Sequence, residues 1–181
     1  MNIHLFGATS NSGVSFINLN KFQSDKYKIF SYSSRNKKHS YSNLKNFEKF
    51  HLLEKESPSI IVSFAPIWFL SECIEKAHRK NPKIFSNVKG LIICSSSSSV
   101  TKRFAANDFD KYLSKKLTNS EKKILDFAIA LKKKCLIIQP TLIYGSINTL
   151  KDKNISKLVH LIKISPFIFL PNKSGLRQPI H

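Results

Sequence analysis

The sequence predicts an α/β fold built on a doubly wound parallel sheet. Strand-like and helix-like segments alternate along the whole chain, and most of the strand segments are nearly continuous apolar runs. Such runs are typical of strands that are buried on both faces, and right-handed crossovers then place helices on both sides of the sheet. The predicted architecture is therefore Rossmann-like, and 181 residues suffice for one sizeable core.

The elements of the first half follow from their periodicity. IHLFG (3–7) is an apolar strand, and the segment 14–22 has the pattern of the helix after it. YKIFSYSS (27–34) is rich in β-forming residues, while apolar residues recur at helical spacing over 42–56. SIIVSFAP (59–66) is a continuous apolar run, which predicts a central strand.

The second half repeats the pattern. A helix is predicted over 68–80 and a buried strand over 88–96, which ends in a run of serines. A long amphipathic helix is predicted over 108–134, followed by a strand over 135–140 that proline terminates. A last helix is predicted over 154–165. We expect a dinucleotide-binding domain over 1–150 and the start of a second lobe over 151–181.

The net charge of +19 is high for a chain of this length. Such a charge suits a polyanion partner, RNA, DNA or an anionic membrane. The lysines are scattered, however, and no aromatic-interleaved RNA-binding motif is present. We therefore interpret the charge as a Lys-, Asn-, Ile- and Ser-rich composition and expect neither a nucleic-acid nor a membrane partner. An RNA-binding Rossmann protein remains the less favoured alternative.

Cysteine usage and the N-terminus bear on the compartment. Cys73, Cys94 and Cys135 lie in apolar contexts without CxxC spacing, which predicts buried free thiols in a reducing compartment and no metal site. No signal peptide is recognisable, because the first residues carry no lysine or arginine and a glycine turn interrupts the apolar run. The apolar stretch 60–70 is much shorter than the roughly 20 residues a membrane span needs. We expect a cytoplasmic protein.

The first turn reads GATSNSG at 7–13, after a strand and before a helix. In a dinucleotide-binding turn the first glycine permits the tight turn, the second admits the pyrophosphate, and the third allows close helix packing. Ser10 replaces the middle glycine, and its hydroxyl is able to donate to a phosphate oxygen. The alternative is an ordinary strand–helix turn. The cofactor contacts predicted here are Gly7, Thr9, Ser10, Asn11, Ser12 and Gly13.

The end of the second strand favours NADP over NAD. The sequence SYSSRNKKH has no acidic residue to hold a ribose 2′-hydroxyl, and Ser34 and Arg35 stand there instead. A planar guanidinium suits a 2′-phosphate, which makes both residues candidate cofactor contacts. The alternative is an ordinary basic loop.

Four segments, GATSNSG, SFAP (63–66), CSSSS (94–98) and QPTLIYG (139–145), occur in the order of a known family. The chain resembles the extended or atypical short-chain dehydrogenase/reductases, and more narrowly the NAD-dependent epimerase/dehydratase group that acts on nucleoside-diphosphate sugars. The resemblance implies an NAD(P)-dependent epimerase, dehydratase or reductase with a nucleotide sugar or a related small metabolite as substrate. It adds four residues to the expected cofactor site, Phe64, Ala65, Pro66 and Pro140.

The resemblance also implies a catalytic set. The family uses a serine that orients the substrate oxygen, a tyrosine that exchanges a proton with the substrate hydroxyl, and a lysine four residues after the tyrosine. In this sequence Tyr112 and Lys116 have that spacing in YLSKK, and Ser97 matches the serine. Ser96 or Ser98 replaces Ser97 if the register shifts.

A second register is open. The family's usual glutamate would fall on Ser120, whereas Glu121 stands one residue later. Alignment on Glu121 places Leu113 and Leu117 in the catalytic positions and gives an inactive or altered site. The alternative function is then a non-catalytic NADP-binding protein or remnant, with an assembly or sensing role.

The resemblance extends to the C-terminal segment, which in the family leads into the substrate lobe. It implies substrate contacts at Asn154 and Arg177, and the arginine suits a diphosphate. The family continues beyond this segment, so the resemblance implies a truncated member with exposed apolar surface. Self-association through that surface makes a homodimer our expectation.

Overall fold

A computed structural model describes the residue ranges 1–20, 26–33, 42–43, 57–145, 155–165, 167 and 179–180. The chain divides into two compact units, Met1–Gln139 and Pro140–His181. The predicted domain boundary after residue 150 falls in the stretch 146–154, which lies outside the described residues, so it stays a prediction.

The first unit contains a 6-stranded parallel sheet with the order β3-β2-β1-β4-β5-β6. The order reverses between β1 and β4, and in open α/β sheets a ligand crevice forms at that point, outside the carboxyl ends of the strands. The predicted doubly wound, Rossmann-like fold class is confirmed. The strands are β1 Asn2–Phe6, β2 Lys28–Ser33, β3 Ser42–Asn43, β4 Ser59–Ser63, β5 Val88–Cys94 and β6 Lys134–Ile138.

Helices connect these strands. The main core packs between one face of the sheet and two of them, α2 and α4, and it includes Ile61, Leu91 and Leu117. A smaller cluster on the other face contains Leu5 and Val62, with Phe16 of α1 against it. Helices therefore lie on both faces near the centre of the sheet. The helices are α1 Asn11–Asn20, α2 Ile67–Lys80, a 3-10 helix Pro82–Phe85, α3 Ser98–Thr101 and α4 Asp108–Ala130.

Two predicted helix boundaries were wrong, one because of strand pairing and one because of the local backbone conformation. Ser42 and Asn43 pair with β2 as a strand, so sheet hydrogen bonds replace the start of the helix predicted over 42–56; the remainder, 44–56, lies outside the described residues. The long helix ends at Ala130 and not at residue 134. Lys132 has a positive φ of 53°, which ends the helix and lets the chain enter β6.

The second unit contains a short parallel pair of strands and one helix, and its elements are β7 Leu142–Ile143, α5 Ile155–Ile164 and β8 Pro179–Ile180. In the parts of the chain that the structure describes, no helix is both long enough and apolar enough to cross a membrane.

Candidate functional site

The turn between β1 and α1 requires glycine at its first position. Gly7 has a φ of 74°, a conformation that costs residues with a Cβ roughly 1–2 kcal/mol. A Cβ on Gly7 would also lie 2.4 Å from the backbone nitrogen of Ala65 and 2.6 Å from the carbonyl carbon of Phe64. The turn after β1 therefore packs directly on the backbone of the segment after β4.

Gly13 is required for a different reason. A Cβ there would lie 2.3 Å from the carbonyl oxygen of Gly7 and 2.9 Å from the Cα of Ala8. The first turn of α1 therefore packs tightly against the loop that precedes it. The sequence pattern assigned this packing role to the last glycine of the motif.

Ser10 closes the same loop. Its hydroxyl donates to the carbonyl oxygen of Gly7 at 2.7 Å and accepts from the backbone N–H of Gly13 at 3.0 Å. This is the geometry of a helix N-cap, and it explains why α1 begins at Asn11. The hydroxyl proton that the sequence analysis assigned to a phosphate is thus used inside the loop.

Two backbone donors at the start of α1 are free for a ligand. Among the described residues, no group accepts a hydrogen bond from the N–H of Asn11 or Ser12. Free N–H groups at a helix N-terminus, together with the helix dipole, suit an anion such as a phosphate. The residues present therefore fit the pyrophosphate of a dinucleotide.

Thr9 links the turn to β2. Its hydroxyl lies 2.9 Å from the hydroxyl of Ser33, the last residue of that strand. The two residues predicted to read the 2′-phosphate, Ser34 and Arg35, follow directly and lie outside the described residues, as do Asn154 and Arg177.

The predicted segment after β4 borders the turn. Phe64 is half-buried, and its ring packs against that of Phe16 with the centroids 6.0 Å apart. Ala65 is buried and donates its N–H to the hydroxyl of Ser63 at 3.2 Å. Pro66 is exposed and precedes α2. Pro140 is half-buried and opens the second unit.

A polar network joins the ends of β5 and β6 to α4. The hydroxyl of Ser95 donates to one carboxylate oxygen of Glu121, and the side-chain amide of Gln139 donates to the other at 3.0 Å. The same amide nitrogen lies 2.9 Å from the hydroxyl of Ser99, and Ser114 donates to the Ser99 carbonyl oxygen at 2.7 Å. Gln139, Ser99 and Ser114 were not among the predicted site residues, although Gln139 stands in the QPTLIYG motif.

This network accompanies a defined rotation of α4. Its buried residues include Ser114 and Leu117, and Leu113 packs against the main core. Tyr112 is 62% exposed. At 100° per residue it lies about 140° around the helix from Leu117. Leu113 and Leu117 therefore face the core, and Tyr112 does not.

Lys116 lies at the border between these two faces. It is half-buried, with its Nζ 4.7 Å from the ring centroid of Trp68 and 5.8 Å from that of Tyr112. No carboxylate among the described residues forms an ion pair with it. The structure thus brings Tyr112 and Lys116 together, with Trp68 as an unexpected third member.

Ser97 occupies the N-cap of α3. Its carbonyl oxygen accepts from the N–H of Thr101 at 2.9 Å, and its half-buried hydroxyl has no hydrogen-bond partner in the described part of the chain. The hydroxyl of Ser96 accepts from the N–H of Ser98 at 3.2 Å. No described contact joins Ser97 to Tyr112 or Lys116.

The cysteines are free, as predicted, but half-buried and not fully buried. Burial raises the pKa of the Cys94 and Cys135 thiols. Within the described ranges, no group of three or more His, Cys, Asp or Glu side chains is arranged to hold a metal ion.

Solved structures share this fold. Yeast methylglyoxal/isovaleraldehyde reductase Gre2 in complex with NADPH aligns with a TM-score of 0.66 at 14% identity, over 94% of this chain and 68% of that chain. The dTDP-4-dehydrorhamnose reductase of Yersinia enterocolitica aligns with a TM-score of 0.63 at 17% identity, over 91% and 61%. UDP-glucuronic acid 4-epimerase of Bacillus cereus in complex with NAD aligns with a TM-score of 0.56 at 12% identity, over 80% of this chain and 57% of that chain.

These identities establish the fold that the chain shares with NAD(P)-dependent reductases and nucleotide-sugar epimerases. The chain spans roughly 57–68% of the length of the three proteins. The sequence matches no protein-family model, and no curated protein matches it.

Proposed function

We propose that this chain binds a nicotinamide dinucleotide at the carboxyl ends of β1, β2 and β4 and is a reductase- or epimerase-like protein. The β1–α1 turn is the observation that carries this proposal. Its two glycines sit where a Cβ cannot, and the free N–H groups of Asn11 and Ser12 suit a pyrophosphate. The NADPH and NAD named for structures of the same fold support it.

NADP is the preferred form in this proposal. Ser34 and Arg35 follow β2 without an acidic residue that would select a free 2′-hydroxyl. The hydrogen bond between Thr9 and Ser33 joins the β1–α1 turn to the last residue of β2, directly before these two residues in the sequence. Phe64, Ala65, Pro66 and Pro140 supply further contacts to the cofactor.

The nicotinamide, when bound, supplies a hydride acceptor or donor. In the chemistry that we propose, Tyr112 exchanges a proton with a substrate hydroxyl, Lys116 provides positive charge beside it, and Ser97 orients the substrate oxygen. The substrate is a nucleotide sugar or a related metabolite, with Asn154 and Arg177 as its contacts in the second unit.

A second function, dinucleotide binding without turnover, is favoured by one observation. Glu121 is held by Ser95 and Gln139, which matches the register in which Leu113 and Leu117 occupy the catalytic positions. The 62% exposure of Tyr112 agrees with that register. In this version the protein has an assembly or sensing role.

Titration with NADPH and NADH tests the binding. The emission of the nucleotide is followed, and light scattering confirms a dispersed sample. Tight NADPH binding with weaker NADH binding is the expected result. Binding of neither nucleotide by a folded sample would contradict the proposed function.

Tyr112→Phe separates the two functions. If the chain is an enzyme, reduction or epimerisation of nucleotide sugars and small carbonyl compounds falls by roughly 100-fold or more while NADPH affinity is unchanged. Tyr27→Phe, at a half-buried tyrosine of the smaller core, is the matched control. Binding without turnover in the unmodified protein supports the non-catalytic function.

The remaining proposals concern partners and compartment. We propose that the protein is a homodimer in the cytoplasm. We also propose that its ligand is a small molecule and not a nucleic acid. We propose that the second copy packs in the groove between α2 and α4, which Ile74 and Phe127 line and where Glu75 pairs with Arg79 and Lys123 of the same chain. Light scattering after size exclusion gives the mass, and a Glu75→Lys variant is expected to be more monomeric.

RNA binding that falls steeply with salt would overturn the exclusion of nucleic acid.

A further inference from the structure

We propose that Trp68 is a positioning residue, which holds the Lys116 ammonium close to the segment after β4. The inference rests on the proposed function, because that segment, 64–66, is the part of the cofactor site that precedes Trp68. A tryptophan such as Trp68, in an apolar segment, is expected to belong to the core. Its indole does pack against the main core, but it is only half-buried, and Lys116 lies over its face.

The backbone around Trp68 is fixed. The carbonyl oxygen of Pro66 accepts from the N–H groups of Phe69 and Leu70 at 2.9 and 3.2 Å, which closes the first turn of α2. One turn later, the hydroxyl of Ser71 donates to the carbonyl oxygen of Trp68 at 3.0 Å. The backbone position that carries the indole is therefore fixed, two residues beyond Pro66.

The aromatic contact is the main one that locates the Lys116 ammonium. Its Nζ is 4.7 Å from the Trp68 centroid, well within the roughly 6 Å over which a ring face attracts a cation. Tyr112 offers a second ring at 5.8 Å, but that tyrosine is 62% exposed. Trp68 is thus the closer and more firmly held of the two partners.

The choice of an aromatic partner has a chemical consequence. A carboxylate beside Lys116 would locate its ammonium and also neutralise its charge. An indole face locates the ammonium and leaves its charge in place. No carboxylate among the described residues pairs with Lys116, so its positive charge remains available to an anionic group such as a phosphate.

Amine labelling tests the contact without a nucleotide. Lys115 is the internal control, because it is the neighbouring lysine on the same helix and is exposed. In the unmodified protein, reductive methylation read by mass spectrometry is expected to be about 2- to 5-fold slower at Lys116 than at Lys115. Trp68→Leu should remove this protection, and Trp68→Phe should retain part of it. Equal rates at Lys116 with and without Trp68 would overturn the proposal.

A double-mutant cycle tests the consequence for binding. Trp68→Leu is expected to weaken NADPH binding about 2- to 5-fold when Lys116 is present and not at all in a Lys116→Met background. The emission of the nucleotide itself is the readout, so loss of the indole does not affect it. Equal losses in both backgrounds would show that Trp68 acts independently of Lys116 and would overturn the positioning role.

The two proposals fail separately. Absence of NADPH binding, with Lys116 labelling that still depends on Trp68, overturns the proposed function and supports the positioning role. If Trp68→Leu does not fold, Lys116→Met provides the reciprocal measurement, because Trp68 is the only tryptophan in the chain. Removal of the ammonium should then shift the emission of Trp68, and an unchanged emission spectrum would overturn the contact.

Discussion

The β1–α1 turn and helix α4 both belong to the candidate site, but they are determined in different ways. In the turn, the backbone itself makes the site: two glycines lie where a Cβ would come within 2.4 Å of its neighbours. In α4, the backbone is an ordinary helix, and everything depends on which side chains face the sheet. A motif in the sequence is thus direct evidence for the turn and only indirect evidence for the helix face.

The rotation of α4 is fixed from outside the helix. Glu121 accepts from Ser95 after β5 and from Gln139 after β6, and Leu117 packs in the main core. Tyr112 and Lys116 have the spacing that places two residues on one helix face. This spacing does not determine whether that face is directed toward the sheet. The hydrogen bonds of Glu121 to Ser95 and Gln139 do determine it.

The largest effect is expected from the glycines. Gly7→Ala forces a Cβ into a positive-φ position and onto the Ala65 backbone, and Gly13→Ala forces one onto the Gly7 carbonyl. Each change should lower the free energy of unfolding in urea by about 3 kcal/mol. Gly90→Ala is the control, since its Cβ would approach no atom more closely than the Lys134 carbonyl oxygen, at 3.2 Å. Similar losses of unfolding free energy for all three variants would contradict the steric requirement for glycine at positions 7 and 13.

Glu121→Ala is expected to have the next largest effect. It removes the charged acceptor of two side-chain donors, Ser95, which is half-buried, and Gln139, which is exposed, and this costs about 1–3 kcal/mol of unfolding free energy. It should also loosen the rotation of α4, seen as a change in Trp68 emission through Lys116. Glu72→Ala, at an exposed position of α2, is the control. An unchanged stability would mean that core packing alone sets the face of α4.

Ser10 distinguishes the stability of the turn from its capacity to bind. Ser10→Ala removes the N-cap and should cost about 1 kcal/mol in stability, while Ser10→Gly should cost a few tenths. Both free the N–H of Gly13, but only glycine also removes the Cβ from the middle of the loop. Ser10→Gly is therefore expected to bind NADPH about 2- to 10-fold more tightly than the unmodified protein. Tighter binding by Ser10→Ala than by Ser10→Gly would contradict this reasoning.

The smallest effect concerns the thiols. Burial raises the pKa of Cys94 and Cys135, so the reactive thiolate forms only at more alkaline pH than in a free thiol. At pH 7.5, iodoacetamide should label Cys94 and Cys135 more slowly than it labels the thiol of glutathione. The rate of labelling should increase with pH. The contribution of these thiols to the free energy of unfolding is fully present below the pKa of the thiols in the unfolded chain. It is lost as the pH rises through their higher pKa in the folded protein. Rapid labelling at neutral pH would show that the strand ends open readily.

The sequence sufficed for the fold because the strands are long apolar runs and the turn uses glycine for steric reasons. It could not supply the start of β3, since the pairing of Ser42 with β2 is a long-range contact that overrides local periodicity. It also could not supply the Glu121 network, whose members come from three separate elements. It also could not supply the contact between Trp68 and Lys116, because nothing in the local sequence of Trp68 indicates that a lysine of another helix lies over it.

The hydrogen bond between Thr9 and Ser33 couples two tasks that are normally discussed apart. One end belongs to the turn that would receive the pyrophosphate, and the other belongs to β2, which precedes Ser34 and Arg35, the residues that we propose to select the coenzyme. We therefore expect that substitutions at Ser34 and Arg35, made to exchange one coenzyme for the other, also affect the β1–α1 turn, where we propose that the pyrophosphate binds. Coenzyme choice and overall affinity should change together in this protein, unless Thr9 is redesigned in the same step.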